Sequence, residues 1–208
     1  AAPVSAVLDW AEAELKSPRG RMAIYGVSGG GYITAQAVAA DRRIDAWVAS
    51  TPIYDMARVF RREFGAVMKA PGWFAAGLLK IAGAVNECAD VAMRKYAWQF
   101  GTPDLRSAIG EVERQAKPVA AETLRCPALF LVGESEAEEL KRQTEELYTA
   151  MKEAGRDVTL RRFSLGEGGD AHCQVDSPRL AHIVVFDWLD RVLGHGNSAD
   201  ACDTRLIC

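Results

Sequence analysis

The segment Tyr-Gly-Val-Ser-Gly-Gly-Gly-Tyr at residues 25–32 constrains the fold more than any other stretch of this 208-residue chain. The apolar run Met-Ala-Ile-Tyr that leads into it has the composition of a buried strand. A stretch rich in helix-forming residues follows it and ends at Asp41. The glycines therefore lie where a strand turns into a helix, which is the context of the G-x-S-x-G nucleophile elbow.

The elbow motif here reads Gly26-Val27-Ser28-Gly29-Gly30. Such a turn holds its serine in a sparsely populated backbone conformation, and small residues two positions away on either side let strand and helix approach closely. We predict that Ser28 is the nucleophile and that the backbone N–H of Gly29 is the first oxyanion donor. Neither phosphate-loop spacing, G-x-x-x-x-G-K-[ST] or G-x-G-x-x-G, is present. A phosphate-binding or purely structural glycine loop is the alternative interpretation.

Composition excludes several classes of function. A formal net charge of −3, with 25% charged and 49% hydrophobic residues, is that of an ordinary globular protein and predicts no nucleic-acid partner. No apolar run reaches the length of about 18 residues that spans a membrane, so we expect no membrane partner. The five cysteines have neither metal-ligand nor disulfide-scaffold spacing. We therefore expect a cytoplasmic protein without a metal or other cofactor.

Strand and helix patterns alternate along the chain. Four short apolar runs, at residues 22–27, 44–50, 128–132 and 158–163, are separated by helical patterns, which predicts a mostly parallel sheet with helices on both faces. The stretch between the second and third strands is far too long for a crossover connection and reads as a helical insertion. The predicted organisation is a hydrolase core with the elbow, a helical lid, a core segment with the acid and histidine loops, and a polar tail, over residues 1–53, 54–125, 126–194 and 195–208.

The insertion contains four aromatic residues that allow two interpretations: Trp73, Phe74, Trp98 and Phe100. They pack the insertion's own core, or they form the apolar face of a lid over a large flat substrate. The sequence leaves both open.

A serine at an elbow needs a base to take its proton. Of the three histidines, His182 lies within the apolar pattern of the last helix, and His195 lies in the polar tail. His172 lies in the loop between the fourth strand and the last helix, where the chain order Ser, acid, His places the base. We therefore predict that His172 is the base, and that nearby Asp170 shapes its loop.

The acid is expected in the loop that follows the third strand, at the same edge of the sheet. That loop, Gly-Glu-Ser-Glu at residues 133–136, offers two glutamates. Glu136, three residues after the glycine, is the preferred acid, and Glu134 is the alternative that otherwise braces the loop. Asp55, after the second strand, is a third candidate.

With these residues placed, the chain resembles one branch of the α/β-hydrolase superfamily. That branch contains 2,6-dihydroxypseudooxynicotine hydrolase, the fermentation-respiration-switch-like esterases and the fungal yellowish-green heptaketide hydrolase. The resemblance rests on YGVSGGGY, on ALFLVGESE at 128–136, and on GDAHCQVD followed by RLAHIVVFDWLD at 169–190. It extends from the helix before the elbow to Gly194.

The resemblance implies a serine-type hydrolase that cleaves a C–C or ester bond next to a carbonyl through a triad of Ser28, Glu136 and His172. The implied substrate is a small aromatic, polyketide-like molecule of secondary metabolism, and we expect a homodimer. The alternatives are a general carboxylesterase, a prolyl-oligopeptidase-like peptidase, a biosynthetic cyclase or C–C bond-forming enzyme, and a non-catalytic ligand binder on the same fold.

One departure from the family concerns the start of the chain. Family members carry strands and a further oxyanion-hole loop before the elbow, whereas a single helix at residues 4–15 precedes the nucleophile strand here. We therefore expect an amino-terminal segment to complete the sheet, and the second oxyanion donor is left unassigned.

Overall fold

Four parallel strands form one sheet in the computed structural model, which describes residues 2–14 and 20–194. The sheet order follows the chain, β1-β2-β3-β4, and each neighbouring pair is parallel. The strands are β1 Met22–Val27, β2 Ile44–Ser50, β3 Ala128–Gly133 and β4 Val158–Phe163. These bounds match the predicted strands to within one residue, and the predicted parallel sheet is confirmed. His195 and the predicted polar tail lie outside the described residues.

Helices separate the strands. They are α1 Ala2–Glu14, α2 Gly29–Ala40, α3 Met56–Lys69, α4 Gly72–Val85, α5 Glu87–Gln99, α6 Leu105–Gln115, α7 Glu138–Glu153 and α8 Pro178–Leu193. Two short 3-10 turns, Ala121–Thr123 and His172–Gln174, complete the regular elements of the described residues.

Both faces of the sheet are covered by helices. On one face, a buried cluster joins side chains of β2, β3 and β4 to Ala181, Val185 and Trp188 of α8. Side chains alternate between faces along a strand, so Trp47 of β2 points to the other face. There its indole N–H donates to the hydroxyl of Thr34 on α2 at 2.9 Å, and its ring packs edge-on against Phe130. The expected α/β layering is therefore present.

The two outer strands differ in composition. Among the described residues β1 pairs only with β2, and the side chains of Tyr25 and Val27 on it are 40% and 48% exposed. The opposite outer strand, β4, exposes Thr159 and Arg162 instead. Polar residues are the usual protection of an outer strand, and β1 lacks them.

Residues 53–119 form a separate compact unit of four helices, α3 to α6. Its core contains Phe60 of α3 with Leu105, Ile109 and Val112 of α6. Helix α6 begins where Asp104 accepts a hydrogen bond from the Ser107 N–H at 2.8 Å. This helix was not predicted from the sequence.

The four aromatic residues of the insertion divide between the two interpretations. Phe100 packs edge-on against Phe60 within the insertion's core. Trp73 and Trp98, in contrast, are 79% and 84% exposed, and Phe74 is also exposed. The insertion therefore has an aromatic core and, in addition, exposed aromatic side chains.

Candidate active site

The elbow lies between β1 and α2 with the backbone that the motif predicts. Ser28 has φ 54° and ψ −123°, and α2 begins at the next residue. A Cβ atom at Gly26 would lie 2.3 Å from the Thr34 hydroxyl and 2.6 Å from the carbonyl oxygen of Gly30, so only glycine fits. A Cβ at Gly30 would meet no atom within 4 Å. The predicted crowding therefore holds at Gly26 and is wrong at Gly30.

The structure brings Ser28 and His172 together from positions 144 residues apart. The elbow turn is tied to the neighbouring strand by the Ser28 N–H, which donates to the Ser50 carbonyl at 3.0 Å. His172 opens the 3-10 turn in the loop after β4, and its Nε2 lies 2.9 Å from the Ser28 Oγ. At this distance the imidazole can accept the hydroxyl proton.

The other ring nitrogen of His172 meets Glu136. Nδ1 lies 2.7 Å and 2.9 Å from the two carboxylate oxygens, so when the imidazole is neutral its proton is on Nδ1 and Nε2 is the acceptor. Glu136 is only 5% exposed, and it also accepts hydrogen bonds from the Thr51 hydroxyl at 2.7 Å and the Ala137 N–H at 3.0 Å. Burial alone raises the pKa of Glu136, but these hydrogen bonds outweigh it and the pKa is lowered. Glu136 is therefore a carboxylate at neutral pH.

The alternative acids have other partners. Glu134 is exposed, and its carboxylate accepts the Leu165 N–H at 3.0 Å, which ties its loop to the histidine loop. Asp55 caps α3 by accepting the Arg58 N–H at 2.9 Å. Asp170 accepts the Ser135 hydroxyl at 2.5 Å, and its carbonyl accepts the Ser135 N–H. Glu136 is the carboxylate that contacts His172.

Two residues that the sequence analysis did not single out also lie at the site. The thiol sulfur of Cys173 lies 3.4 Å from His172 Nε2 and 3.8 Å from the Thr51 hydroxyl. The Cys173 contact and then the Glu136 contact raise the pKa of His172 to about 10. Thr51 follows a strand at the carboxyl end of the sheet, a position from which it could have been predicted.

The remaining predicted positions have simple surroundings. Gly29 is the first residue of α2, so its N–H has no carbonyl acceptor within the helix and suits an oxyanion. His182 is exposed on α8, with its ring beside Phe186.

Within the described residues no group of three or more His, Cys, Asp or Glu side chains could hold a metal ion. None of the described helices is long and apolar enough to cross a membrane.

The site can be compared with known proteins. Residues 1–173 match the family described as X-Pro dipeptidyl-peptidase (S15 family). Among curated protein sequences, none matches the chain significantly.

Solved structures show the same fold at low sequence identity. An esterase of Pyrococcus furiosus, Pf2001, has a TM-score of 0.61 at 16% identity, over 92% of this chain and 61% of its own. The acylaminoacyl peptidase of Pyrococcus horikoshii has a TM-score of 0.54 at 15% identity, over 93% of this chain and 28% of its own. Est816, an N-acyl homoserine lactone degrading enzyme, has a TM-score of 0.55 at 18% identity, over 89% of this chain and 71% of its own.

These likenesses confirm the predicted α/β-hydrolase fold. The chain spans about three fifths of the length of the Pyrococcus furiosus esterase and under a third of the peptidase. The fold and the family are those of serine hydrolases.

Proposed function

The chain belongs to the X-Pro dipeptidyl-peptidase (S15) family, and from this premise we propose that it hydrolyses a bond next to a carbonyl by covalent catalysis at Ser28. The observation that carries the proposal is the continuous chain of contacts from Ser28 through His172 to Glu136, at 2.9 Å and 2.7 Å. A hydroxyl, an imidazole and a buried carboxylate in this order are the parts that activate a serine.

In the proposed reaction, the Ser28 oxygen attacks the substrate carbonyl while His172 Nε2 takes the hydroxyl proton. The Gly29 N–H stabilises the negative charge that develops on the carbonyl oxygen. His172 then returns the proton to the leaving group as the bond to the carbonyl breaks, which leaves an acyl group on Ser28. Water, deprotonated by His172, releases the acid and restores the serine. Glu136 stabilises the imidazolium in both steps.

For the substrate we propose a small aromatic, polyketide-like molecule cleaved at a C–C or ester bond. Support comes from the resemblance at residues 169–176, the segment that contains His172 and Cys173. Trp73 and Trp98 of the insertion expose flat apolar faces of the kind on which aromatic rings stack. By this proposal, Trp73→Ala and Trp98→Ala raise KM for aryl substrates more than for acetate esters.

The family match favours a second candidate, an X-Pro peptidase, because it covers residues 1–173 and therefore includes all three members of the candidate triad. A peptidase of that kind must bind a free amino terminus, which requires an acidic group near the scissile bond. A carboxylesterase, a cyclase and a ligand binder are the remaining alternatives.

A substrate panel separates these functions. The full protein is assayed with an aryl 1,3-diketone, p-nitrophenyl esters and an X-Pro p-nitroanilide, each beside the Ser28→Ala variant. We expect Ser28-dependent cleavage of the diketone or the aryl ester and no cleavage of the X-Pro p-nitroanilide. Serine-dependent cleavage of the anilide alone would establish the peptidase instead. Turnover that persists in Ser28→Ala would contradict covalent catalysis.

A further inference from the structure

Two proton donors share one nitrogen of the candidate base. His172 Nε2 lies 2.9 Å from the Ser28 hydroxyl oxygen and 3.4 Å from the Cys173 thiol sulfur. The thiol can also donate its proton to the carbonyl oxygen of Ser50, which lies 3.6 Å from the sulfur. Cys173 as a residue is only partly buried.

The two donors differ greatly in acidity. A thiol is in general a far stronger acid than a serine hydroxyl. His172 therefore accepts the thiol proton more readily than the serine proton. The Cys173 contact is also the largest cause of the raised pKa of His172.

The next residue of the same turn carries a buried amide with an unused hydrogen-bond donor. Gln174 is fully buried, and its Oε1 accepts the Ser50 hydroxyl at 2.7 Å. Its Nε2 has no hydrogen-bond partner among the described residues. Leaving such a donor unpaired is costly, and a carbonyl oxygen is the kind of acceptor that would satisfy it.

We propose that Cys173 is a second activated nucleophile of this site, and that carbonyl-bearing soft carbon electrophiles modify it and thereby block Ser28. With an α-halo amide, the sulfur forms a bond to the methylene carbon while the carbon–halogen bond breaks and halide leaves. The thiol proton stays on His172 until water takes it. The blocking of Ser28 rests on the proposed function, whereas the reactivity of Cys173 does not.

Another cysteine of the same chain provides an internal control. Cys126 lies just before β3, and burial raises its pKa to about 11, so it stays protonated at neutral pH. It is therefore a poorly reactive thiol and serves as the slow reference within one molecule. The comparison of the wild type with His172→Gln isolates the effect of His172 on Cys173.

The first experiment measures alkylation at each site. The full protein and His172→Gln are treated with iodoacetamide at pH 7, and the carbamidomethylation rates of Cys173 and Cys126 are followed by peptide mass spectrometry. We expect Cys173 to react at least about tenfold faster than Cys126, and His172→Gln to remove most of that advantage while Cys126 is unaffected. Equal rates in the two proteins would overturn the proposal. The thermal transition of each protein verifies that both are folded.

The second experiment tests the blocking of Ser28. Fluorophosphonate labelling of Ser28 is measured before and after iodoacetamide, in the wild-type protein and in Cys173→Ser. Alkylation should abolish labelling in the wild type and leave the Cys173→Ser rate at its untreated value. Labelling that survives stoichiometric alkylation of Cys173 would overturn this inference. If untreated wild type shows no labelling at all, the proposed hydrolase function fails, and the alkylation rates still decide the reactivity of Cys173.

Discussion

The carboxyl and amino ends of the sheet differ in backbone conformation and in side-chain contacts. Four non-glycine residues of the described chain have positive φ, namely Ser28, Thr51, Cys173 and Gln174, and all of them follow the carboxyl ends of strands. Each such conformation costs about 1–3 kcal/mol. Ser28 is a member of the candidate triad, Thr51 contacts Glu136, and Cys173 contacts His172.

The amino end of the sheet is built from stabilising contacts instead. Arg43, just before β2, pairs with Asp41 at 2.7 Å and with Asp9 and Glu12 of α1 at 2.7 Å and 3.0 Å. Asp45 of β2 accepts the Met22 N–H of β1 at 2.9 Å. No non-glycine residue with positive φ occurs at this end within the described part of the chain.

This contrast between the two ends of the sheet indicates that function and stability depend on different residues. Strain at the carboxyl end is tolerated because it aims Ser28 and Cys173 at one imidazole, and ordinary ion pairs at the amino end contribute to holding the sheet together. Changes at the carboxyl end should therefore alter reactivity more than stability, and changes at the amino end should do the reverse.

The largest expected effect comes from the acid loop. Glu136→Gln removes the negative charge that stabilises the His172 imidazolium, so we expect the fluorophosphonate labelling rate of Ser28 to fall on the order of a hundredfold or more. Glu134→Gln is the matched control two residues away, and its exposed side chain should change the rate by no more than about twofold. A larger loss in Glu134→Gln would reverse the assignment of the acid.

The next effect concerns the contact between the acid and histidine loops. A Cβ at Gly133 would lie 2.0 Å from the carbonyl oxygen of Asp170, so Gly133→Ala must displace the histidine loop. We expect labelling to slow by about ten- to a hundredfold and stability to fall by about 1–3 kcal/mol. Gly20→Ala, at the amino end, would meet no atom within 4 Å and is the control. Equal behaviour of the two variants in labelling and urea unfolding would contradict this account.

A smaller effect is the pH dependence of labelling. His172 accepts the serine proton only when it is neutral, and contacts with Cys173 and Glu136 raise its pKa to about 10. The labelling rate should therefore keep rising with pH above neutrality, to a plateau near pH 10. Cys173→Ala removes the largest cause of the shift and should move this rise towards the ordinary histidine range near 6.5. A wild-type profile that already levels off near pH 7 would show that the thiol does not hold the proton on His172.

The smallest expected effect is at the amino end. Hydrogen bonds from Arg43 hold the pKa of Asp41 well below its usual range, so its stabilising contribution is present at neutral pH and is lost as the pH falls below about 4. Asp41→Asn should lower Tm by about 2–4 °C at pH 7 and change labelling by less than about twofold. The Tm difference should shrink in acid. A loss of labelling in this variant would break the separation between the two ends.

Much of the fold could be predicted because the strands and the elbow turn have recognisable local sequence patterns. Strand composition fixed all four strands, and the elbow glycines placed Ser28 between a strand and a helix. Helix α6 was not predicted, although its buried positions Leu105, Ala108, Ile109 and Val112 follow a helical period.

The detailed geometry of the site depends on contacts between residues that are far apart in the chain. Such contacts cannot be recognised in a single sequence. Thr51 meets Glu136 across 85 positions and Cys173 across 122, and the need for glycine at position 133 arises from a loop more than 30 residues away. Chain order alone could suggest Ser28, Glu136 and His172. It could not show that a thiol lies next to the same imidazole nitrogen.

The most direct test of the central claim is the intact mass of the full protein after incubation with a fluorophosphonate probe, with Ser28→Ala as the control. The account predicts one adduct, mapped to Ser28, in the wild type and none in the variant at an unchanged Tm. A folded wild type that forms no adduct, or a variant that still forms one, would contradict an activated serine at this elbow.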